Sequence, residues 1–132
     1  MSHFHAVVWI DHREARVFHF NREHAEGRVL HADRPDVHVH HKAGEIGSGK
    51  AEADRKFLDA IVQGVADAGE VLIVGPSTAK LDFVRHVERR HHALRERIVG
   101  LETVDHPTDP QLVAFARRYF AAADRTLPQL PR

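Results

Sequence analysis

A turn from a strand into a helix places a lysine beside free backbone amides, a combination suited to binding an anion. The apolar, β-branched run of residues 71–74 predicts a buried strand that stops at Gly75-Pro76. We expect Ser77 to be the N-cap of the next helix, which leaves the N–H groups of Ser77, Thr78 and Ala79 free to bind an anion beside Lys80. A cation there opposes the helix dipole by roughly 0.3–1 kcal/mol, a cost that a bound anion would offset. The alternative is that Lys80 simply extends into solvent.

The most basic stretch of the sequence, residues 85–97, has the composition of an RNA-binding surface. It holds five arginines against two glutamates. Arg85 and Arg89 are four residues apart, so they share one face of a helix. Arginines contact phosphates bidentately and histidines stack on bases, although a solvated helix face has the same composition. The nucleic-acid contacts that we expect are Lys42, Lys50, Arg85, Arg89, Arg90 and Arg95.

A glycine-rich segment, residues 44–50, matches the spacing of a phosphate-binding loop without its full chemistry. Lys50 is present, but position 51 is alanine, so the hydroxyl that would bind magnesium is missing. The residues before it also make a poor buried strand. We therefore predict a flexible loop, with Gly47, Ser48 and Gly49 as its contact residues, and no nucleotide hydrolysis.

Carboxylates and histidines leave two further chemistries open. A nuclease with two metal ions needs several converging acids, and Asp11, at the end of the first strand, is the one well-placed candidate. The alternative is that Asp11 caps the turn of a hairpin. Histidine pairs at strand spacing could ligate a metal or lie on the solvent face of a sheet: His3 with His5, and His38 with His40, with His31 nearby. We assign no catalytic residue, metal or cofactor.

Composition limits the class of protein that can hold these residues. The 132 residues are 42% hydrophobic and 29% charged, which fits a single soluble globular domain. No apolar run approaches the ~20 residues of a membrane span. The chain has no cysteine and balances 19 basic against 19 acidic residues. These features are compatible with a cytoplasmic protein and exclude disulfides and thiolate metal sites.

Hydrophobic periodicity predicts the elements that position these residues. The order is βββαβαβα, an antiparallel meander followed by parallel crossovers, which makes a three-layer α/β domain over residues 1–125 with a loose tail at 126–132. The predicted strands are residues 5–11, 15–20, 28–31 (with 37–40 as a continuation or a separate strand), 71–74 and 98–104.

Three predicted helices have apolar faces at helical spacing. The first runs until Gly69, the second follows Ser77, and the third starts with Asp109 as N-cap and Pro110 as first helical residue. Their inner faces are Ala53, Phe57, Leu58, Ile61, Val62 and Val65; Leu81, Val84 and Val87; and Leu112, Phe115, Ala116, Tyr119 and Phe120.

Several of these segments together resemble the central domain of eukaryotic and archaeal peptide-chain release factors and of Pelota. The likeness looks closest to small bacterial stand-alone relatives called translational machinery proteins. It implies a ribonuclease-H-like fold and a link to ribosomes or tRNA. The segments that carry it are residues 7–17, 40–42, 44–50, 71–76 and 105–120.

One departure from the release-factor pattern bears on activity. Release factors carry Gly-Gly-Gln in the loop before the first helix, where this sequence has Gly47-Ser48-Gly49-Lys50. Release-type hydrolysis is therefore not expected. We predict a non-catalytic module that binds RNA or the ribosome, with the oligomeric state open and a homodimer among the options. The alternatives are a metal-dependent nuclease or hydrolase using Asp11 and histidines, or a protein-interaction or metal-binding module.

Overall fold

The computed structural model describes residues 4–32 and 46–126, which form five strands and four helices. Their order matches the predicted βββαβαβα, with one short extra helix after the second long one. The strands are β1 (His5–Ile10), β2 (Glu14–Phe20), β3 (Ala25–His31), β4 (Glu70–Gly75) and β5 (Ile98–Thr103). The helices are α1 (Ile46–Gly64), α2 (Ala79–Arg90), α3 (His92–Arg95) and α4 (Asp109–Thr126).

The five strands form one mixed sheet in the order β3-β2-β1-β4-β5. Strands β1, β2 and β3 pair antiparallel as a meander, and β4 pairs parallel with both β1 and β5. Val8, at the centre of β1, aligns with Val17 on one side and with Ile73 on the other. The predicted meander with parallel crossovers is confirmed.

Strand β1 is buried on both faces because helices cover both sides of the sheet. Val8 and Ile10 belong to a core shared with α1 and α2, whereas Val7 and Trp9 belong to a core shared with α4. All four side chains are fully buried. Side chains alternate across a strand, so the unbroken apolar run of β1 serves two cores at once.

The β1–β2 turn is closed by the side chain of Asp11. Its Oδ1 atom accepts hydrogen bonds from the backbone N–H groups of Arg13 (2.8 Å) and Glu14 (2.9 Å). The Asp11 N–H in turn donates to the Glu14 carbonyl at 3.0 Å. The structure therefore confirms the alternative in which Asp11 caps the hairpin turn.

The predicted loop of residues 47–50 is wrong, since these residues lie in α1, which begins at Ile46. Glycine lowers helix stability by about 1 kcal/mol relative to alanine, but unlike proline it keeps its N–H donor. The helix can therefore extend through Gly47, Ser48, Gly49 and Lys50, and this helical backbone does not form a phosphate-wrapping loop. The same helix ends at Gly64, five residues before the predicted end.

The inner face of α2 differs from the predicted one. Phe83 and Val87 are fully buried, whereas Leu81 is exposed. Phe83 carries the largest apolar surface in the helix, and its burial turns Leu81 outward. The helix also begins one residue later than expected, with Thr78 as its N-cap in place of Ser77.

Helix α4 has the predicted apolar stripe but a different cap. The Thr108 hydroxyl accepts from the Gln111 N–H at 3.2 Å, and the Gln111 side chain accepts from the Thr108 N–H at 2.9 Å. This reciprocal pair is a capping box. Thr108 therefore replaces the predicted Asp109 as the cap, while Leu112, Ala116 and Phe120 are buried as predicted.

Some predictions fall outside the described residues: the strand at 37–40 with its two histidines, His3, Lys42 and nearly all of the tail. No helix in the described part of the chain is long and apolar enough to cross a membrane.

Candidate nucleic-acid interface

The parallel strands β1, β4 and β5 end at one edge of the sheet, the edge where α/β folds commonly bind ligands. Asp11 follows β1, Pro76 follows β4 and Val104 follows β5. A Cβ atom on Gly75 would collide with the carbonyl oxygen of Ile10, so the close approach of the strand ends requires glycine there. This edge therefore brings Asp11 and the predicted anion-binding turn onto the same side of the molecule.

Lys80 is turned back onto the β4–α2 turn. The residue is only 8% exposed, and its Nζ donates to the Ser77 carbonyl oxygen at 2.6 Å. The alternative in which Lys80 extends into solvent is therefore wrong. The Thr78 carbonyl accepts from the N–H groups of Leu81 and Asp82. The Ser77 carbonyl therefore already interacts favourably with the lysine charge. Anion binding by Ser77, Thr78 and Lys80 stays a prediction.

Side chains of β1 and β2 hold the β5–α4 loop in place by hydrogen bonds. The Trp9 Nε1 atom donates to the Asp105 carbonyl at 2.7 Å. Arg16 Nη1 donates to the Pro107 carbonyl at 2.8 Å and to Asp109 Oδ1 at 2.9 Å, while its guanidinium lies 4.5 Å from the centre of the Trp9 ring. Arg16 is therefore committed to holding this loop.

A cleft of about 320 Å³ opens beside the loop, lined by residues 104–107, Leu112 and Phe115. Among these lining residues, His106 has its Nε2 atom 3.8 Å from Asp11 Oδ2 and its Nδ1 atom 2.9 Å from Asp105 Oδ1. Among the side chains that the structure describes, in residues 4–32 and 54–123, this edge has no group of three converging metal ligands. The arrangement therefore does not favour a nuclease that uses two metal ions.

Four exposed arginines form what we call the basic surface of α2 and α3: Arg85, Arg89, Arg90 and Arg95. Two of them have acidic neighbours. Arg85 Nη1 lies 3.4 Å from Asp82 Oδ1, and Arg95 Nε lies 3.1 Å from Glu88 Oε2. Exposed pairs of this kind contribute about 0–1 kcal/mol, so a phosphate can compete for these arginines.

The other two arginines of the basic surface have no acidic partner in the part of the chain that the structure describes. Arg89 and Arg90 occupy the last turn of α2, where a cation interacts favourably with the helix dipole. Arg97, by contrast, donates from Nη2 to the Ala66 carbonyl at 3.2 Å. The unpaired charge of the 85–97 stretch is thus concentrated at the C-terminal end of α2.

The structure does not show the two predicted lysine contacts, Lys42 and Lys50, beside the arginines of the basic surface. Lys42 lies outside the described residues, and Lys50 lies in the first part of α1. Their contribution to a nucleic-acid interface stays a prediction.

A second group of polar side chains lies between α1 and α2, and sequence reasoning missed it. Asp59 Oδ1 accepts from Nε2 of His86 at 2.6 Å and from Nε2 of His91 at 3.0 Å. These hydrogen bonds, the one to His86 first, lower the pKa of Asp59 below its ordinary value. The signal that could have revealed the group is His86 itself, which occupies the buried face of α2 beside Phe83 and Val87.

No protein-family model matches the chain, and no curated protein sequence does either. Solved structures do. Archaeoglobus fulgidus Pelota is similar with a TM-score of 0.60 at 13% identity, over 86% of this chain and 30% of that one. Thermoplasma acidophilum Pelota is similar with a TM-score of 0.57 at 19% identity, over 86% and 32%.

An archaeal translation termination factor is also similar, with a TM-score of 0.56 at 16% identity, over 80% of this chain and 31% of that one. The chain thus spans about a third of the length of each of these proteins. The predicted resemblance to Pelota and to release factors is confirmed at the level of the fold. The closer likeness to bacterial stand-alone proteins stays a prediction.

Proposed function

We propose that this chain is a non-catalytic, translation-associated module that binds RNA, ribosomal RNA included, through the basic surface of α2 and α3. The observation that carries the proposal is that Arg89 and Arg90 are exposed and lack acidic partners among the described residues. The fold shared with Pelota and with a termination factor supports a role beside the ribosome. A cytoplasmic location follows from that role.

We also infer that the domain belongs to the ribonuclease-H-like class of three-layer α/β folds. The strand order β3-β2-β1-β4-β5 and the helices on both faces support this assignment. Residues 1–125 would then form one folded unit.

The absence of catalysis is inferred from the residues themselves. No Gly-Gly-Gln is present at positions 47–50, and Oδ1 of Asp11 is occupied by two backbone N–H groups. Ser77, Thr78, Lys80, Lys42 and Lys50 are proposed as secondary phosphate contacts, subordinate to the arginines.

Titrating a fluorescent single-stranded RNA with the protein at increasing salt tests the proposal. We expect a Kd of about 1–100 μM at physiological salt, with a logarithmic salt slope of about −3 because each of four phosphate contacts contributes about −0.7. The double variant Arg89→Gln/Arg90→Gln should weaken binding and flatten the slope by about 1.4.

The matched control is Arg22→Gln/Arg118→Gln, which removes the same two charges from exposed positions outside the basic surface. Equal weakening by both pairs would mean that only net charge matters and would overturn the assigned surface. Absence of RNA binding at low salt, together with no co-sedimentation with ribosomes, would overturn the function itself.

A further inference from the structure

We propose that Asp59, His86 and His91 form a zinc-binding site between α1 and α2. Within the described ranges these three residues are the one group whose potential ligand atoms all lie within 4.8 Å of one another. Asp59 comes from α1, His86 from α2, and His91 from the junction between α2 and α3. Two imidazoles and one carboxylate are a common zinc ligand set.

The two distances from Asp59 to the histidines are close to those that a tetrahedral ion requires, and the two histidine ligand atoms lie within 4.8 Å of each other. Zinc bonds of about 2.0–2.1 Å place neighbouring ligand atoms about 3.3 Å apart. Asp59 Oδ1 is now 2.6 Å from His86 Nε2 and 3.0 Å from His91 Nε2. These separations need to open by only about 0.3–0.7 Å to admit the metal, a shift within reach of side-chain rotation.

Binding exchanges two hydrogen bonds for two metal bonds. The Nε2 atoms of His86 and His91 both lie within hydrogen-bond distance of the same carboxylate oxygen, Asp59 Oδ1. When zinc binds, each Nε2 lone pair is given to the metal, and its proton is released or is carried on Nδ1 of the neutral ring.

Burial around the three residues suits a metal that enters from solvent. The side chain of His86 is only 7% exposed, whereas that of His91 is 27% exposed and that of Asp59 is 50% exposed. Three protein ligands leave a fourth position for water. Since the ligands come from α1, from α2 and from the residue between α2 and α3, bound zinc would hold the α2–α3 junction against α1 directly after Arg90.

The test is to titrate zinc chloride into untagged, metal-free protein. Calorimetry measures the binding, and thermal unfolding measures the change in stability. We expect one zinc per chain bound tightly and a rise in melting temperature. His91→Gln should weaken that binding at least about tenfold, because even outer partners of metal ligands are worth about 10–100-fold. His92→Gln is the matched control, since His92 is the exposed neighbouring histidine outside the cluster and should leave binding unchanged.

Cobalt absorption gives a readout that a purely structural hydrogen-bond cluster would not produce. We expect the intense visible bands of tetrahedral Co²⁺ in the native protein and in His92→Gln, and their loss in His91→Gln. Asp59→Asn serves as a second ligand variant if His91→Gln does not fold. Equal zinc affinity in the ligand and control variants, or weak octahedral cobalt bands, would overturn the proposal. None of these measurements uses RNA, so they are independent of the proposed function.

Discussion

Asp11 has a structural role, although it lies at the edge of the sheet where α/β folds commonly bind ligands. Its Oδ1 accepts two backbone N–H groups of the β1–β2 turn, and its Oδ2 lies 3.8 Å from an exposed histidine. A carboxylate oxygen already engaged by two donors is a poor metal ligand. The residue that sequence spacing offers to a nuclease is therefore the residue that shapes the first hairpin.

Replacement of Asp11 by alanine should lower the free energy of unfolding by about 1–2 kcal/mol, the usual cost of losing a side-chain cap. Asp11→Asn should lose less, because the asparagine carbonyl can accept the same N–H groups. Urea denaturation measures both. Ribonuclease activity that is present in the native protein and absent in the asparagine variant would contradict the structural role.

The stability of the folded protein should depend on pH through the Tyr119 hydroxyl. Burial first, and then the charge of Glu102, raises the pKa of its hydroxyl above the ordinary value of about 10. A raised pKa in the folded state means that the stability tied to the neutral phenol is complete below pH ~10 and is lost as pH rises through the folded-state pKa. The hydroxyl donates to the Val99 carbonyl at 3.3 Å, a bond that deprotonation removes.

Tyr119 is the one tyrosine in the sequence, so phenolate absorbance reports it alone. We expect its titration midpoint above that of the urea-unfolded chain. Glu102→Gln should bring the midpoint partly back, since burial is the larger cause. An unshifted midpoint in the folded protein would contradict the partly buried environment of this hydroxyl.

At the scale of elements, sequence periodicity predicted the elements well and their ends less well. Continuous apolar runs predicted β1 and β4 correctly, and the apolar stripe of Leu112, Ala116 and Phe120 predicted α4. The start of α1 was missed because glycine statistics favour a loop while the helix tolerates glycine at a modest cost. The cap of α4 was misplaced because Asp109 and Thr108 are both good caps, and only the reciprocal bond to Gln111 decides between them.

That cap makes a prediction for the whole of α4. Thr108→Ala should lower the free energy of unfolding by about 1 kcal/mol, and Thr108→Ser should leave it nearly unchanged because the hydroxyl is kept. Asp109→Ala removes the alternative cap together with the ion pair to Arg16. Because the Asp109 side chain is 53% exposed, we expect this change to cost less than 1 kcal/mol. Chemical denaturation ranks the three variants, and a larger loss in Asp109→Ala than in Thr108→Ala would assign the cap to Asp109.

At the scale of the whole molecule, contacts between distant parts of the sequence explain why the metal-ligand group escaped prediction. Asp59 and His86 are 27 residues apart, and they meet because α1 and α2 pack on the same face of the sheet. A contact between residues so far apart in the sequence cannot be predicted from local residue spacing. The basic surface, by contrast, lies on two consecutive helices, so a single stretch of sequence was enough to predict it.

The two cores of the molecule should unfold as one unit, because β1 contributes alternate side chains to both. Ile61→Val, in the core beneath α1 and α2, should cost about 0.5–1.5 kcal/mol, and Leu112→Ala, in the core beneath α4, about 2–5 kcal/mol. Each variant should shift a single transition whether it is followed by Trp9 fluorescence or by far-ultraviolet circular dichroism. Trp9 lies in the α4-side core, so a fluorescence transition that moves in Leu112→Ala but not in Ile61→Val would show that the two faces unfold separately.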